Sequence, residues 1–247
     1  MQVRESEGFP IACLHRRLRR TGFCQVGGER KMRATGRGRA VVQSRAIEKR
    51  EMLILGAAAV FDEVGYAGAS LSMIERRSGV SRGAMYFQFT TKREIADAVV
   101  DEQHAISSRL VRAAAETGAS PVEQIVMLCH GLAAQIISDP VVRGGIRLTM
   151  ELAFEHGPVD PYAGWIKVMT DLLERSQADG EVIEGINPAD AAWVLVASFT
   201  GTQLVSHVLE KRSDLPRRVD DLLRTFLSGV MTPVGREALE QTLSARC

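Results

Sequence analysis

No uninterrupted apolar run in the 247 residues approaches the ~20 that a membrane-spanning helix needs. Beyond Lys92 nothing alternates as a strand would, so the long second part of the chain reads as helix. Cysteine is sparse and scattered: Cys13, Cys24, Cys129 and Cys247 make neither a metal-ligand spacing nor a disulfide framework, which fits a reducing cytoplasm. His104, His130, His156 and His207 show no paired i, i+4 pattern, so no metal and no cofactor is expected. A nucleophile with its base, or an acid-base pair at persuasive spacing, is also missing, which argues against an all-α enzyme. Cys129-His130 comes nearest, but Val126, Cys129 and Leu132 share a helical spacing, and Cys129 therefore reads as a buried structural thiol. A secretory leader needs an apolar core of about 7–15 residues, and Ile11-Ala12-Cys13-Leu14 is too short for one.

Charge is present in balance but not evenly spread. Of 31 Lys and Arg, 13 fall in residues 1–50 beside only 4 acidic residues, a net of +9 there against −8 for the remainder. The basic end suits phosphates. Residues 1–40 are rich in Arg and Gly, carry neither helical nor alternating period, and read as a disordered extension. Either they form a basic arm that adds nonspecific DNA affinity, or they lie outside the natural product, with Met32 as the start; the second is favoured.

The stretch Ser70 to Lys92 organises the chain. Leu71 to Arg77 reads as one short helix with Leu71 and Ile74 on its apolar face, and a second opens at Ser81 and runs through Met85 to Phe87. Between them Gly79 supplies the positive φ of a tight corner, and Ser81 is placed to cap the second helix with its side chain. This is a helix-turn-helix pattern. The second helix offers Arg82, Gly83, Ala84, Tyr86 and Gln88 with little bulk near its start, and Arg82 and Tyr86, four apart, share one face that fits a major groove. Upstream, Leu53, Ile54, Ala57, Val60, Phe61 and Val64 recur at three- and four-residue steps, one helix with a buried stripe that Gly65-Tyr66 ends. Its basic start, at Arg45, Lys49 and Arg50, would lie near DNA, and Tyr66 reads as a packing residue.

The spacing Gly79-Val80-Ser81-x-Gly83-x-Met85-Tyr86-Phe87-x-Phe89-x-x-Lys92, preceded by Phe61-x-x-x-Gly65-Tyr66 and Ser70-x-x-x-Ile74, closely resembles the DNA-binding domain of TetR-family repressors over residues 45 to 95. The resemblance implies an all-α protein with a three-helix DNA-binding domain at 41–92 and a larger ligand-binding and dimerisation domain at 93–247. It implies DNA contacts from Arg45, Ser70, Ser81, Arg82, Gly83, Tyr86, Gln88 and Lys92, with Arg82 reading a base edge and Lys92 meeting phosphate. Two positions depart from the family pattern: Glu75 replaces the usual alanine after the isoleucine, and Arg93 stands where an acidic residue is common.

In the second domain, proline punctuates the helices. Ser120-Pro121, Asp139-Pro140, Asp160-Pro161, Asn187-Pro188 and Thr232-Pro233 each set a good N-cap before a proline whose missing N–H costs nothing in the first turn. With a long helix from Lys92 to about Thr117 and one from about Leu215 to Met231, seven helices are expected. Gln103, Trp165 and Thr200 fall on otherwise apolar faces. A buried polar group is usually satisfied by backbone or a neighbour; an amide, an indole and a hydroxyl together would also suit a small, mostly apolar ligand with a few oxygens.

Asp139-Pro140-Val141-x-Arg143-x-Gly145-x-Arg147-Leu148, Pro161-Tyr162-x-x-Trp165 and Ser198-Phe199-Thr200-Gly201 resemble the γ-butyrolactone receptor branch of that family. This likeness implies a cytoplasmic homodimeric repressor of antibiotic biosynthesis, released from operator DNA by a butyrolactone or butenolide signal. Trp165, Gln103 and Thr200 would then contact the ligand. Pseudo-receptors of the same branch answer to antibiotics instead. An architectural DNA binder would not need a large acidic helical domain with polar residues inside.

Overall fold

The computed structural model describes residues 36–156 and 161–245. Ten helices lie among them: α1 Gly36–Gly68, α2 Leu71–Ser78, α3 Arg82–Gln88, α4 Lys92–Ala115, α5 Pro121–Ser138, α6 Pro140–His156, α7 Pro161–Ala178, α8 Pro188–Glu210, α9 Leu215–Val230 and α10 Pro233–Ser244. The all-α expectation is met; among the described residues the sole extended pairing is an isolated bridge between Val182 and Met231. All five prolines picked from sequence open helices. Ser120 and Glu123 form a reciprocal capping box, the Ser120 N–H donating to Glu123 Oε2 at 2.7 Å and the Glu123 N–H to Ser120 Oγ at 3.3 Å. Asp139, Asn187 and Thr232 likewise accept from N–H groups of the first turn. Asp160 lies outside the described residues.

The helix α1 begins at Gly36, five residues inside the stretch read as a disordered extension; residues 1–35 lie outside the described part. At Gly65 the backbone leaves helical geometry, φ 73 and ψ 178, where the sequence expected α1 to end.

The described chain forms two compact units, residues 36–109 with 135–156, and residues 110–134 with 162–245. In the first unit α6 and α4 as far as Arg109 pack with α1, α2 and α3. Leu53, Phe61, Ile74, Met85, Ile95 and Leu148 share one core in the first unit. Backbone, not side chain, sets how near α6 comes. A Cβ on Gly144 would run into the carbonyl of Ala58 in α1, and one on Gly145 would lie 2.5 Å from Gln103 Cβ in α4. Arg143 fixes this arrangement by donating from Nε to Asp62 Oδ2 at 2.6 Å and from Nη1 to the Ile136 and Ile137 carbonyls at the end of α5.

In the second unit α9 packs on α8 and α10. Leu215, Val219, Leu223 and Leu227, four apart, are wholly buried, while Arg217 and Arg218 pair outward with Asp221 and Asp214. Cys129 and His130 sit inside; His130 Nε2 stands 2.9 Å from Asp220 Oδ1 on α9. The helix α8 differs from the rest: Trp193, Val194, Leu204, Val205, Val208 and Leu209 are all exposed, Val208 and Leu209 by more than two thirds. By length and composition this 23-residue helix is apolar enough to cross a membrane, although its longest uninterrupted apolar run stays far below ~20 residues. Thr200, Thr202, Gln203 and Ser206 break up its apolar sequence.

Candidate functional site

Two short helices and their corner form the most exposed chemistry of the first unit. Ile74, Val80, Met85 and Phe89 face inward and are buried, which leaves Arg82, Gly83, Tyr86 and Phe87 on the outer face of α3. Gly79 has φ 68 and closes α2, its N–H donating to Glu75 O, as expected of the corner. No atom stands within 4 Å of where a Cβ of Gly83 would be, so backbone is open to a flat partner at the start of α3. The Arg82 guanidinium lies 5.9 Å from the centre of the Tyr86 ring. Hydrogen bonding to Tyr86 first, and the Glu75 carboxylate less, hold Arg82 above its ordinary value. Ring and cation thus share one face, as their four-residue spacing requires.

Ser81 occupies the N-cap position of α3 but makes no side-chain cap. Its expected role passes to Glu75, whose Oε1 accepts the Arg82 N–H at 2.9 Å. A carboxylate reaching from α2 is the stronger acceptor and carries the charge a helix start prefers. Ser70 does cap α2, accepting from the Met73 N–H at 3.2 Å. Arg45 is exposed on α1, and Gln88 Nε2 reaches back to Ala46 O at 3.4 Å.

Lys92, expected at phosphate, also has partners inside the protein. Its Nζ donates to the carbonyls of Tyr66 at 2.7 Å and Ala69 at 2.9 Å, and lies 4.4 Å from the Tyr66 ring centre. Two of its three protons are spent inside the protein, on carbonyls at the end of α1, of which the Tyr66 carbonyl also accepts the Ala69 N–H at 3.3 Å. Phe87 is the residue that sequence reasoning passed over. At 84% exposure on α3 it is the most exposed large apolar side chain among the described residues; its place two residues before buried Phe89 was the available signal.

The three residues expected at the ligand do not fall in one unit. Gln103 is buried in α4 of the first, with Nε2 donating to Ser107 Oγ on the same helix at 2.9 Å. Trp165 on α7 and Thr200 on α8 belong to the second, both half-buried. Thr200 Oγ1 donates to Val196 O at 2.9 Å, and Thr200 also hydrogen-bonds Tyr162, one turn before Trp165 on α7. Burial pushes the Tyr162 phenol up, and the Thr200 contact opposes that. The second unit therefore presents a phenol, a hydroxyl and an indole from two helices, with Tyr162 as the member not selected from sequence. Among the described residues no group of three or more His, Cys, Asp or Glu could hold a metal ion.

A family model described as bacterial regulatory proteins, tetR family, matches residues 53–99. A second, described as a tetracyclin repressor-like C-terminal domain, matches residues 119–233. The chain is 37% identical to the A-factor receptor protein of Streptomyces griseus over 191 residues, 77% of this chain and 67% of that one. Among solved structures, CprB of Streptomyces coelicolor in complex with its biological operator sequence superposes with a TM-score of 0.70 at 33% identity, covering 82% of this chain and 97% of that one. A structure described as the molecular basis for control of antibiotic production by bacterial hormones gives a TM-score of 0.68 at 32% identity, covering 75% and 99%.

Proposed function

The chain belongs to the TetR family of bacterial regulatory proteins, and from that premise we propose that it is a repressor of antibiotic biosynthesis genes, released from its operator by a γ-butyrolactone or butenolide signal. The observation that carries the DNA-reading part is the outer face of α3. Arg82 and Tyr86 stand together there, Phe87 projects beside them, and Gly83 leaves the backbone bare, a combination with donors for a guanine edge and apolar surface for a thymine methyl. The identity with the A-factor receptor protein over most of the chain supports the signal class.

Two such helices must meet DNA together. In a homodimer the copies of α3 would enter successive major grooves about 34 Å apart. The exposed apolar face of α8, from Trp193 to Leu209, is the surface proposed to pair, because the same residues left in water would be an aggregation liability on a single chain. For the signal, Trp165 offers an apolar face, while Thr200 and Tyr162 offer hydroxyls for lactone oxygens. Release would follow if ligand-bound protein held the two copies of α3 at a different spacing. The reading places the protein in the cytoplasm, with operator DNA, a small-molecule signal and a second copy of itself as partners.

The test is a gel shift on the promoter of the protein's own gene, with and without an extract of spent culture medium. A shifted band that the extract abolishes is the expected result. A band that persists with every extract points to an architectural role, and no band on any promoter removes the repressor assignment.

A further inference from the structure

The break in α1 parts two backbone groups that an unbroken helix would join. The Tyr66 N–H would donate to the carbonyl of Asp62, four residues earlier, but the turn at Gly65 separates them. Side chains of α6 take both places. The Tyr66 N–H donates to Glu151 Oε2 at 2.6 Å, Arg147 Nη1 donates to Asp62 O at 2.7 Å, and Arg147 Nε donates to Glu151 Oε1 at 2.8 Å. An ion pair on α6 thus stands in series where one backbone hydrogen bond is missing. At Gly65 φ 73 disfavours any side chain, and a Cβ would displace the ends of this pair, lying 2.5 Å from Glu151 Oε1 and 2.9 Å from Arg147 Nη2.

Tyr66 is held from its other end too, since its carbonyl takes Lys92 Nζ from the start of α4. Four residues on, Ser70 caps α2. Tyr66 is thus held at both its N–H and its carbonyl. Both charged side chains are more than a third exposed, 40% and 35%, so their mutual attraction is screened. Their weight lies in the backbone groups they satisfy.

We propose that Arg147 and Glu151 are positioning residues for DNA reading: by splicing the break at Gly65 they fix the end of α1, and with it α2, in the one placement that lets α3 enter a major groove. This rests on the proposed reading of α3. It also gives the Arg143-x-Gly145-x-Arg147 pattern a task in the unit that carries α3.

The test uses a duplex enriched from a random pool by the full-length wild-type protein, and a random duplex of the same length. Glu151→Ala, Arg147→Ala and Glu151→Gln are compared for affinity on both, for melting temperature, and for hydrogen exchange of the Tyr66 amide. Both alanine variants are expected to lose about threefold to thirtyfold in affinity for the selected duplex with little change on the random one, and Glu151→Ala to speed exchange at Tyr66. Glu151→Gln still accepts from the Tyr66 N–H and should recover most of the affinity. Unchanged affinity for the selected duplex in a folded Glu151→Ala protein overturns the proposal, as does a loss on both duplexes that only tracks the unfolded fraction. Failure of the wild type to enrich any duplex is a different result, which removes the reading role of α3 itself.

Discussion

Glu75 accepts the backbone N–H of Arg82 at 2.9 Å, so the first residue of α3 is held by a side chain of α2. One of the two residues that depart from the family pattern thus caps α3. Glu75→Ala is expected to cost about 1 kcal/mol, a melting shift of roughly 2–4 °C for a chain of this size. It should also raise affinity for random DNA at low salt, because a carboxylate next to the proposed phosphate path disappears. Ser81→Ala, which removes no cap, should change stability by less than about 0.5 kcal/mol. Thermal melting of both variants decides which residue does the capping.

Arg82 and Lys92 separate reading from holding. Arg82→Ala should leave melting unchanged and cost about 1–3 kcal/mol on the operator, relaxing preference at one base pair. Lys92→Ala removes the Nζ bond to the Ala69 carbonyl and one of the two partners of the Tyr66 carbonyl, and should destabilise the fold by about 1–3 kcal/mol. The salt slope of DNA binding tests its remaining proton: a slope lower by about one charge in Lys92→Ala would mean that it reaches phosphate as well.

Phe87→Ala should be nearly silent in melting, since the ring is in water. On the operator it should cost on the order of 1 kcal/mol if the ring meets thymine methyls, and replacing thymine by uracil in the operator should reproduce the loss in the wild type while adding nothing in the variant.

Trp165→Ala and Thr200→Val test the ligand face. Each should give a folded repressor that binds operator normally but needs about ten- to a hundredfold more signal for release. Melting, operator affinity and release by a synthetic γ-butyrolactone are measured on one preparation. If Trp165 is only core, its removal lowers melting and weakens both kinds of binding together.

Burial pushes the Cys129 thiol from 9.0 up to about 12. The native protein thus keeps a proton that the unfolded chain gives up first. The stability tied to the neutral thiol is whole below pH about 9 and is lost as pH rises toward about 12. The melting difference between wild type and Cys129→Ala should therefore be flat near neutral pH and shrink above about 9. In native protein Cys129 should resist alkylation.

What could be read from the sequence was local. Each proline start depended on a cap and a missing N–H within two residues, and the buried stripe of α1 on a 3.6-residue period. Gly65 and Gly79 announced their turns because few other residues adopt their φ. What could not be read was which polar group meets which backbone group across a fold. Glu151 reaches Tyr66 over 85 residues, and no pattern in α6 distinguishes that carboxylate from a solvated one. The inner carbonyl partners of Lys92 were hidden for the same reason, and Ser81 looked like a cap because the competitor, Glu75, comes from the preceding helix. Gln103 was correctly placed on an inward face, yet its amide is met by Ser107 on its own helix.

Gly144 and Gly145 put the backbone of α6 directly against α1 on one side and the Gln103 stem of α4 on the other. Side chains at such a contact would act as springs, absorbing a small displacement by changing rotamer. Two adjacent hydrogens absorb nothing. Within this unit α6 therefore behaves as a stiff rod, so that a shift of a few tenths of an ångström along its axis must be matched by its neighbours or resisted outright, and any larger residue at either glycine would act as a shim.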